Sequence, residues 1–249
     1  MVVFLLLFVA YALALTAALA RAGDRSQPVT GTGRTPARPS RLLIVGATGG
    51  TGRQLVAQAL ERGHEVTALV RNPDKLHIDH PRLAVVQGDV LDAASVDRAV
   101  EGQEAVLSAL GHRRYLHPSR ILSEGTRHIV RAMEAHSVRR FVCETSLGIG
   151  DSAGRMGLYY TLFVIPVILP FYFWDKTRQE RIIAESALDW VIVRPGALTD
   201  GQARGAVRHG SKVGNALSTV RVSRADVAAF MLDQLSSDTY RCSAPGVSW

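Results

Sequence analysis

Twelve residues, Arg41 to Gly52 (Arg-Leu-Leu-Ile-Val-Gly-Ala-Thr-Gly-Gly-Thr-Gly), restrict the fold of this chain more than any other stretch. Leu42, Leu43, Ile44 and Val45 form an unbroken apolar run, the pattern of a short strand covered on both faces. From Gln54 to Arg62 the apolar residues Leu55, Val56, Ala59 and Leu60 share one helical face, and Gly63 supplies a stop. Glycines at 46, 49 and 52 lie between the two. Gly46 makes a tight turn, Gly49 lets backbone approach a pyrophosphate, and Gly52 lets the helix lie close to the strand. The helix N-terminus then faces the phosphates with its partial positive charge. Between a strand and a helix, this spacing predicts a dinucleotide site.

The N-terminus is of another kind. Met1 to Ala20 carries no charged side chain and is dominated by Leu, Val, Phe and Ala, long enough to cross ~30 Å of hydrocarbon as a helix. We read residues 1–20 as a transmembrane anchor. A cleaved signal peptide is the competing reading, because Ala18-Leu19-Ala20 resembles a cleavage site. No Lys or Arg precedes the apolar run, whereas arginines follow it; this favours a retained single-pass anchor with the catalytic domain in the cytoplasm. Residues 21–40 are rich in Gly, Pro, Ser, Thr and Arg without apolar periodicity and read as a flexible basic linker.

Charge does not point to nucleic acid. Of the formal +7, Arg21, Arg25, Arg34, Arg38 and Arg41 against Asp24 place +4 in residues 21–41 and leave +3 for the rest. Cys143 and Cys242 make no disulfide framework, and a reduced compartment is the natural setting. His77 and His80, or His112 and His117, fall in apparent loops without a supporting carboxylate or cysteine cluster, so no metal site is expected.

Residues 41–249 suit one α/β domain. Strands are expected at Glu65–Val70, Leu83–Gln87, Ala105–Leu110, Phe141–Cys143 and Trp190–Val193, with short strands between Val207 and Val222. Helices are expected from Asp92 through Val100, from Ser119, over Asp175–Ala187 and over Ser223–Leu235. The alternation predicts a Rossmann-type doubly wound parallel sheet with helices on both faces and ligands at the strand C-termini. Arg71, with Lys75 one turn on, stands where the second strand meets the adenosine ribose. An acidic residue there would suit NAD; these cations suit a 2′-phosphate, so NADP(H) is expected over NAD(H).

Gly46–Gly52, Val70–Leu76, Gly88–Asp92, Ser123-Glu-Gly125, Thr145-Ser146 and Asp189–Gly196 together resemble the atypical short-chain dehydrogenase/reductases. Within them the chain is similar to the NAD(P)H-binding, NmrA-like group that includes biliverdin-IXβ/flavin reductase. The resemblance runs from Arg41 to about Tyr240 and implies residue roles. Gly46, Thr48, Gly49, Gly50, Thr51 and Gly52 would hold the pyrophosphate, Arg71 and Lys75 the 2′-phosphate, and Asp89 and Val90 the adenine. Gly111, Thr145, Ser146 and Pro195 would line the nicotinamide half, with Ser146 and Lys176 as catalytic candidates. Ordinary short-chain dehydrogenases use a Tyr followed four residues later by Lys. Tyr159 is followed at that offset by Phe163 and Tyr160 by Val164, so the dyad is absent there and Tyr159 reads as a packing or interfacial aromatic.

Gly157 to Trp174 runs eighteen residues without a charge, between the fifth strand and the next helix. A second span is excluded because the fifth and sixth strands share one sheet, and Pro166 and Pro170 discourage a straight helix. A hydrophobic lid and a membrane-dipping patch are the two remaining readings. The function expected is a membrane-associated NADPH-dependent reductase passing hydride to a small conjugated acceptor such as a quinone or flavin, lipophilic if the patch reading holds. A non-catalytic NADP(H)-binding redox sensor, scaffold or assembly factor is the alternative, and a sugar-nucleotide epimerase a weaker third.

Overall fold

The structure, a computed structural model, describes residues 2–22, 40–112 and 115–249. The glycine-flanked segment forms strand β1 (Arg41–Val45) and helix α2 (Gly50–Glu61), preceded by the N-terminal helix α1 (Val2–Ala22). Then follow β2 (Glu65–Val70), β3 (Leu83–Gln87), α3 (Ala93–Val100), β4 (Ala105–Ser108), α4 (Ile121–Ala135) and β5 (Arg140–Glu144). A π-helical segment (Tyr160–Ile168) leads to α5 (Pro170–Ala184), β6 (Asp189–Pro195), β7 (Ala197–Thr199), β8 (Arg208–Gly210), β9 (Arg221–Ser223), α6 (Arg224–Asp233) and β10 (Gly246–Ser248).

The main sheet has the order β3-β2-β1-β4-β5-β6-β10-β8; all neighbours are parallel except β10 and β8, and β7 pairs with β9 apart from it. The order reverses between β1 and β4, where ligands sit in doubly wound sheets. Both faces are covered. Leu42 and Ile44 point into a core shared with α2 and α6, whereas Leu43 and Val45 point into one shared with α3, α4 and α5. That is why the run in β1 is unbroken rather than alternating.

Caps written in the sequence are made. Asp92 Oδ1 accepts from the Ala94 amide at 3.1 Å, and Ser223 Oγ accepts from the Asp226 amide at 3.0 Å. Helix α4 instead starts at Ile121, two residues after the expected Ser119, and borrows its cap from α5: Asp175 accepts from the Leu122 and Ser123 amides. Helix α5 begins at Pro170, five residues before the expected start. Proline at the first helical position loses no hydrogen bond, so the residue expected to break the helix opens it. The linker assigned to 21–40 falls on residues outside those described, except Ser40 and its first two, which close α1.

Helix α5 carries a fully buried polar face. Glu180 and Arg194 of β6 meet in a bidentate pair, with Arg194 Nε on Oε1 at 3.0 Å and Nη2 on Oε2 at 2.7 Å. Burial alone would lower the Arg194 pKa, but Glu180 and Asp151 more than offset it and hold the guanidinium charged. Thr145, after β5, donates to Glu180 at 2.6 Å, so one carboxylate joins α5, β5 and β6. Removing one partner of such a pair strands the other in low dielectric. Glu180→Ala is expected to cost about 3–5 kcal/mol of stability, read by denaturant unfolding.

Candidate active site

The strand C-termini enclose a cavity of about 600 Å³, within the range of small-ligand sites. At its centre the backbone crosses itself at close range. Gly46 has φ +82°, and a Cβ there would lie 2.5 Å from the Ala109 carbonyl oxygen; one on Gly52 would lie 2.0 Å from that of Gly46. No side chain caps the N-terminus of α2, and Gly49, Gly50 and Thr51 line the cavity with their amides uncapped by any side chain. A Cβ on Gly49 would fill space against Gly46 oxygen at 3.2 Å and meet nothing else within 4 Å. This is the cradle that a pyrophosphate requires, so the residues fit a dinucleotide.

Two arginines that sequence reasoning missed join this cradle. Arg224, at the start of α6, lies across Gly50, close enough that a Cβ there would sit 2.4 Å from its Cδ; its guanidinium pairs with Asp200 at 2.6 Å. Nothing local to residue 224 signals this, because packing of α6 on α2 brings it in. Arg53 lines the adenosine end beside Arg71, Asp89 and Val90. Lys75 does not line the cavity: its carbonyl accepts from Arg53 Nη2 at 3.2 Å, and Arg53 stands where Lys75 was expected. Asp89 turns its carboxylate to the Leu91 amide at 3.0 Å.

At the opposite end the wall is Gly111, His112, Tyr115, Glu144, Thr145, Tyr172 and Lys176. Tyr172-Phe-Trp-Asp-Lys176 has the Tyr-to-Lys offset of four that is missing at Tyr159 and Tyr160. The dyad judged absent is therefore present thirteen residues further on. Its tyrosine lies inside the uncharged stretch 157–174, two residues before Trp174 ends it, and only pairing that stretch with Lys176 beyond it reveals the offset. Lys176, 3% exposed, places Nζ 5.2 Å from the centroid of the Tyr172 ring. The Tyr172 hydroxyl lies 3.5 Å from where a Cβ on Gly111 would stand, and the ring meets His112 and Tyr115 edge-on at centroid distances of 4.9 and 5.5 Å.

Burial raises the Tyr172 pKa above its ordinary value; the charge and hydrogen bond of Lys176 oppose that rise without cancelling it. The phenol therefore keeps its proton at neutral pH and is available as an acid. Glu144 is also pushed up by burial, against the pull of Lys176, the Thr51 hydroxyl (3.0 Å) and Arg224. Cys143 behind them is pushed up to about 12 by burial, which leaves it a thiol.

Of the residues singled out in the sequence, the structure brings Gly46, Thr48, Gly49, Gly50, Thr51, Arg71, Asp89, Val90, Gly111, Thr145 and Lys176 to one cavity. Gly52 lies beneath it as packing. Ser146 and Pro195 are not in its lining: Ser146 Oγ donates to the Leu147 carbonyl at 3.0 Å, and the Pro195 carbonyl accepts from the Leu147 amide at 2.9 Å. Among the described residues, no group of three His, Cys, Asp or Glu is placed to hold a metal.

A glycine-cradled dinucleotide cavity bordered by a Tyr-Lys pair defines the short-chain dehydrogenase/reductase type of site. The chain belongs to the NAD(P)H-binding family, whose model matches residues 46–238, within the NmrA-like atypical short-chain dehydrogenase/reductases. It is 30% identical over 185 residues to an uncharacterized chloroplastic protein of Arabidopsis thaliana, covering 68% of this chain and 63% of that one. It is 27% identical over 164 residues to the photosystem II assembly factor Ycf39 of Synechocystis, covering 65% and 46%. The chain thus spans less than two thirds of these relatives. The structure of ChuY, an anaerobilin reductase from Escherichia coli O157:H7, superposes with a TM-score of 0.69 at 25% identity, over 84% of this chain and 97% of that one.

The cradle makes a discriminating prediction. Gly49→Val is expected to abolish NAD(P)H binding by fluorescence titration at a smaller cost in melting temperature than Gly52→Ala, since within the protein a Cβ at 49 meets the Gly46 carbonyl oxygen alone, at 3.2 Å. Gly52→Ala, forced against the Gly46 carbonyl, is expected to lose about 1–3 kcal/mol or more of stability.

Proposed function

We propose that this protein is an NADPH-dependent reductase of a conjugated carbonyl acceptor, a quinone being the class that fits best and a flavin the next. The observation that carries the reading is Tyr172, held protonated by burial beside Lys176, with its hydroxyl over Gly111 at the cavity wall. When bound, the reduced nicotinamide supplies a hydride. Tyr172 delivers its phenolic proton to the acceptor oxygen, so the acceptor gains two electrons and two hydrogens and leaves as the hydroquinone. Lys176 stabilises the phenolate left behind, which solvent reprotonates. Thr145 and Glu144 hold this end of the cavity through Glu180 and Thr51.

Preference for NADPH is supported by Arg71 and Arg53 in the cavity lining beside Asp89, whose carboxylate is engaged by the Leu91 amide. A second reading, a non-catalytic NADP(H)-dependent assembly factor, is supported by the likeness to Ycf39.

One assay separates the two. With NADPH and a panel of water-soluble quinones and flavins, the reductase reading expects absorbance at 340 nm to fall, and Tyr172→Phe to slow turnover by ~10²–10⁴-fold with cofactor affinity unchanged. Binding without oxidation of NADPH by any acceptor overturns it in favour of the assembly factor. Arg71→Ala is expected to weaken NADPH by about tenfold or more and NADH little, a loss of one charge-assisted contact.

A further inference from the structure

We infer that α1 and the 160–174 segment form one platform seated in a lipid leaflet, and that the acceptor reaches Tyr172 from the bilayer. The entry route rests on the reductase reading above; the seating does not.

Phe4–Arg21 is, among the described residues, the one helix long and apolar enough to cross a membrane, and only 11% of that window is buried within the protein. A core helix of a soluble domain would be mostly covered. Helix α1 nevertheless does not stand apart. Tyr11 Oη donates to the Pro166 carbonyl at 3.4 Å, and Leu19, 1% exposed, packs with Ile149, Ile165 and Phe173. The contact thus runs along the C-terminal half of the helix, Tyr11 to Leu19, about 12 Å at 1.5 Å per residue. The other half, Phe4 to Leu7, projects bare. A half-span of ~15 Å is one leaflet. If α1 enters lipid with Arg21 at the headgroups, Pro166 must lie in the same leaflet, because it is fixed to Tyr11.

The 160–174 segment is suited to that place. Phe163, Val167, Ile168 and Phe171 are exposed, and their backbone is helical, the form in which amides need no water. At the margin the chemistry changes as at a membrane surface: exposed Trp174 carries the Arg178 guanidinium 5.7 Å from its ring centroid. Arg178 opens onto a shallow cavity with Arg120, Arg127 and Arg181, which also holds Glu124 and Glu185. Four arginines against two carboxylates favour anionic headgroups. Tyr172 links platform and site, since its ring packs against the α1 cluster and also lines the cofactor cavity.

The full chain is reconstituted in phosphatidylcholine/phosphatidylglycerol vesicles whose acyl chains carry bromine, and tryptophan emission is recorded. Bromolipid is expected to quench a component that Trp174→Phe removes, with NADPH affinity confirming that the variant is folded. Equal quenching of native protein and variant, or failure to bind vesicles, overturns the seating, whatever the turnover. For entry, Phe163→Glu/Val167→Glu is expected to raise KM for a long-chain alkyl quinone in vesicles at least tenfold while sparing a water-soluble quinone. An equal effect on both overturns the lipid route and leaves the reductase reading standing.

Discussion

The meeting of Glu180 with Arg194 inside the protein sets the position of the helix that does the chemistry. Neither group can be buried alone, and each is fixed by the other through two hydrogen bonds. Glu180, Lys176 and Tyr172 follow at four-residue intervals on α5, one above the other on a single face. The ion pair therefore fixes rotation and depth for all three. Asp175 and Gln179 lock the adjacent face: the first caps α4, and the second donates to Thr126 Oγ1 at 3.0 Å. Polar groups so confined lose little orientation entropy when substrate arrives.

The cofactor half depends on a different constraint, the absence of side chains. Gly46 and Gly52 allow β1, α2 and the chain after β4 to touch backbone to backbone. That contact aims the α2 N-terminus into the cavity, and Glu144 bridges the halves by accepting from Thr51 while lying in the field of Lys176. A ligand spanning the cavity thus meets the α2 N-terminus and arginines at one end and a proton donor at the other.

Local determinants were the legible ones. The strand, turn and helix over 41–61, the Asp92 and Ser223 caps, and the sheet rhythm are encoded within a few residues of where they act. Arg224 and Arg53 were not legible as site residues, because α6 reaches α2, and Arg53 reaches the Lys75 carbonyl, only through tertiary packing. Ser146 follows a good positional argument yet turns its hydroxyl to a neighbouring carbonyl, while Thr145 beside it faces the cavity. Tyr172 was obscured by its own surroundings. A stretch without charge signals apolar cover, and its last tyrosine is where cover and chemistry meet.

The central claim is that Tyr172, set by α5 beside Lys176, gives up a proton as hydride is transferred. The most direct measurement is the solvent isotope effect on a single turnover of NADPH with a water-soluble quinone, taken for the native protein and for Tyr172→Phe. Native turnover is expected to be slower in D2O, and the variant to be much slower still, at a rate that no longer depends on that phenolic proton. A native rate that is the same in both solvents, together with an unimpaired variant, would contradict it.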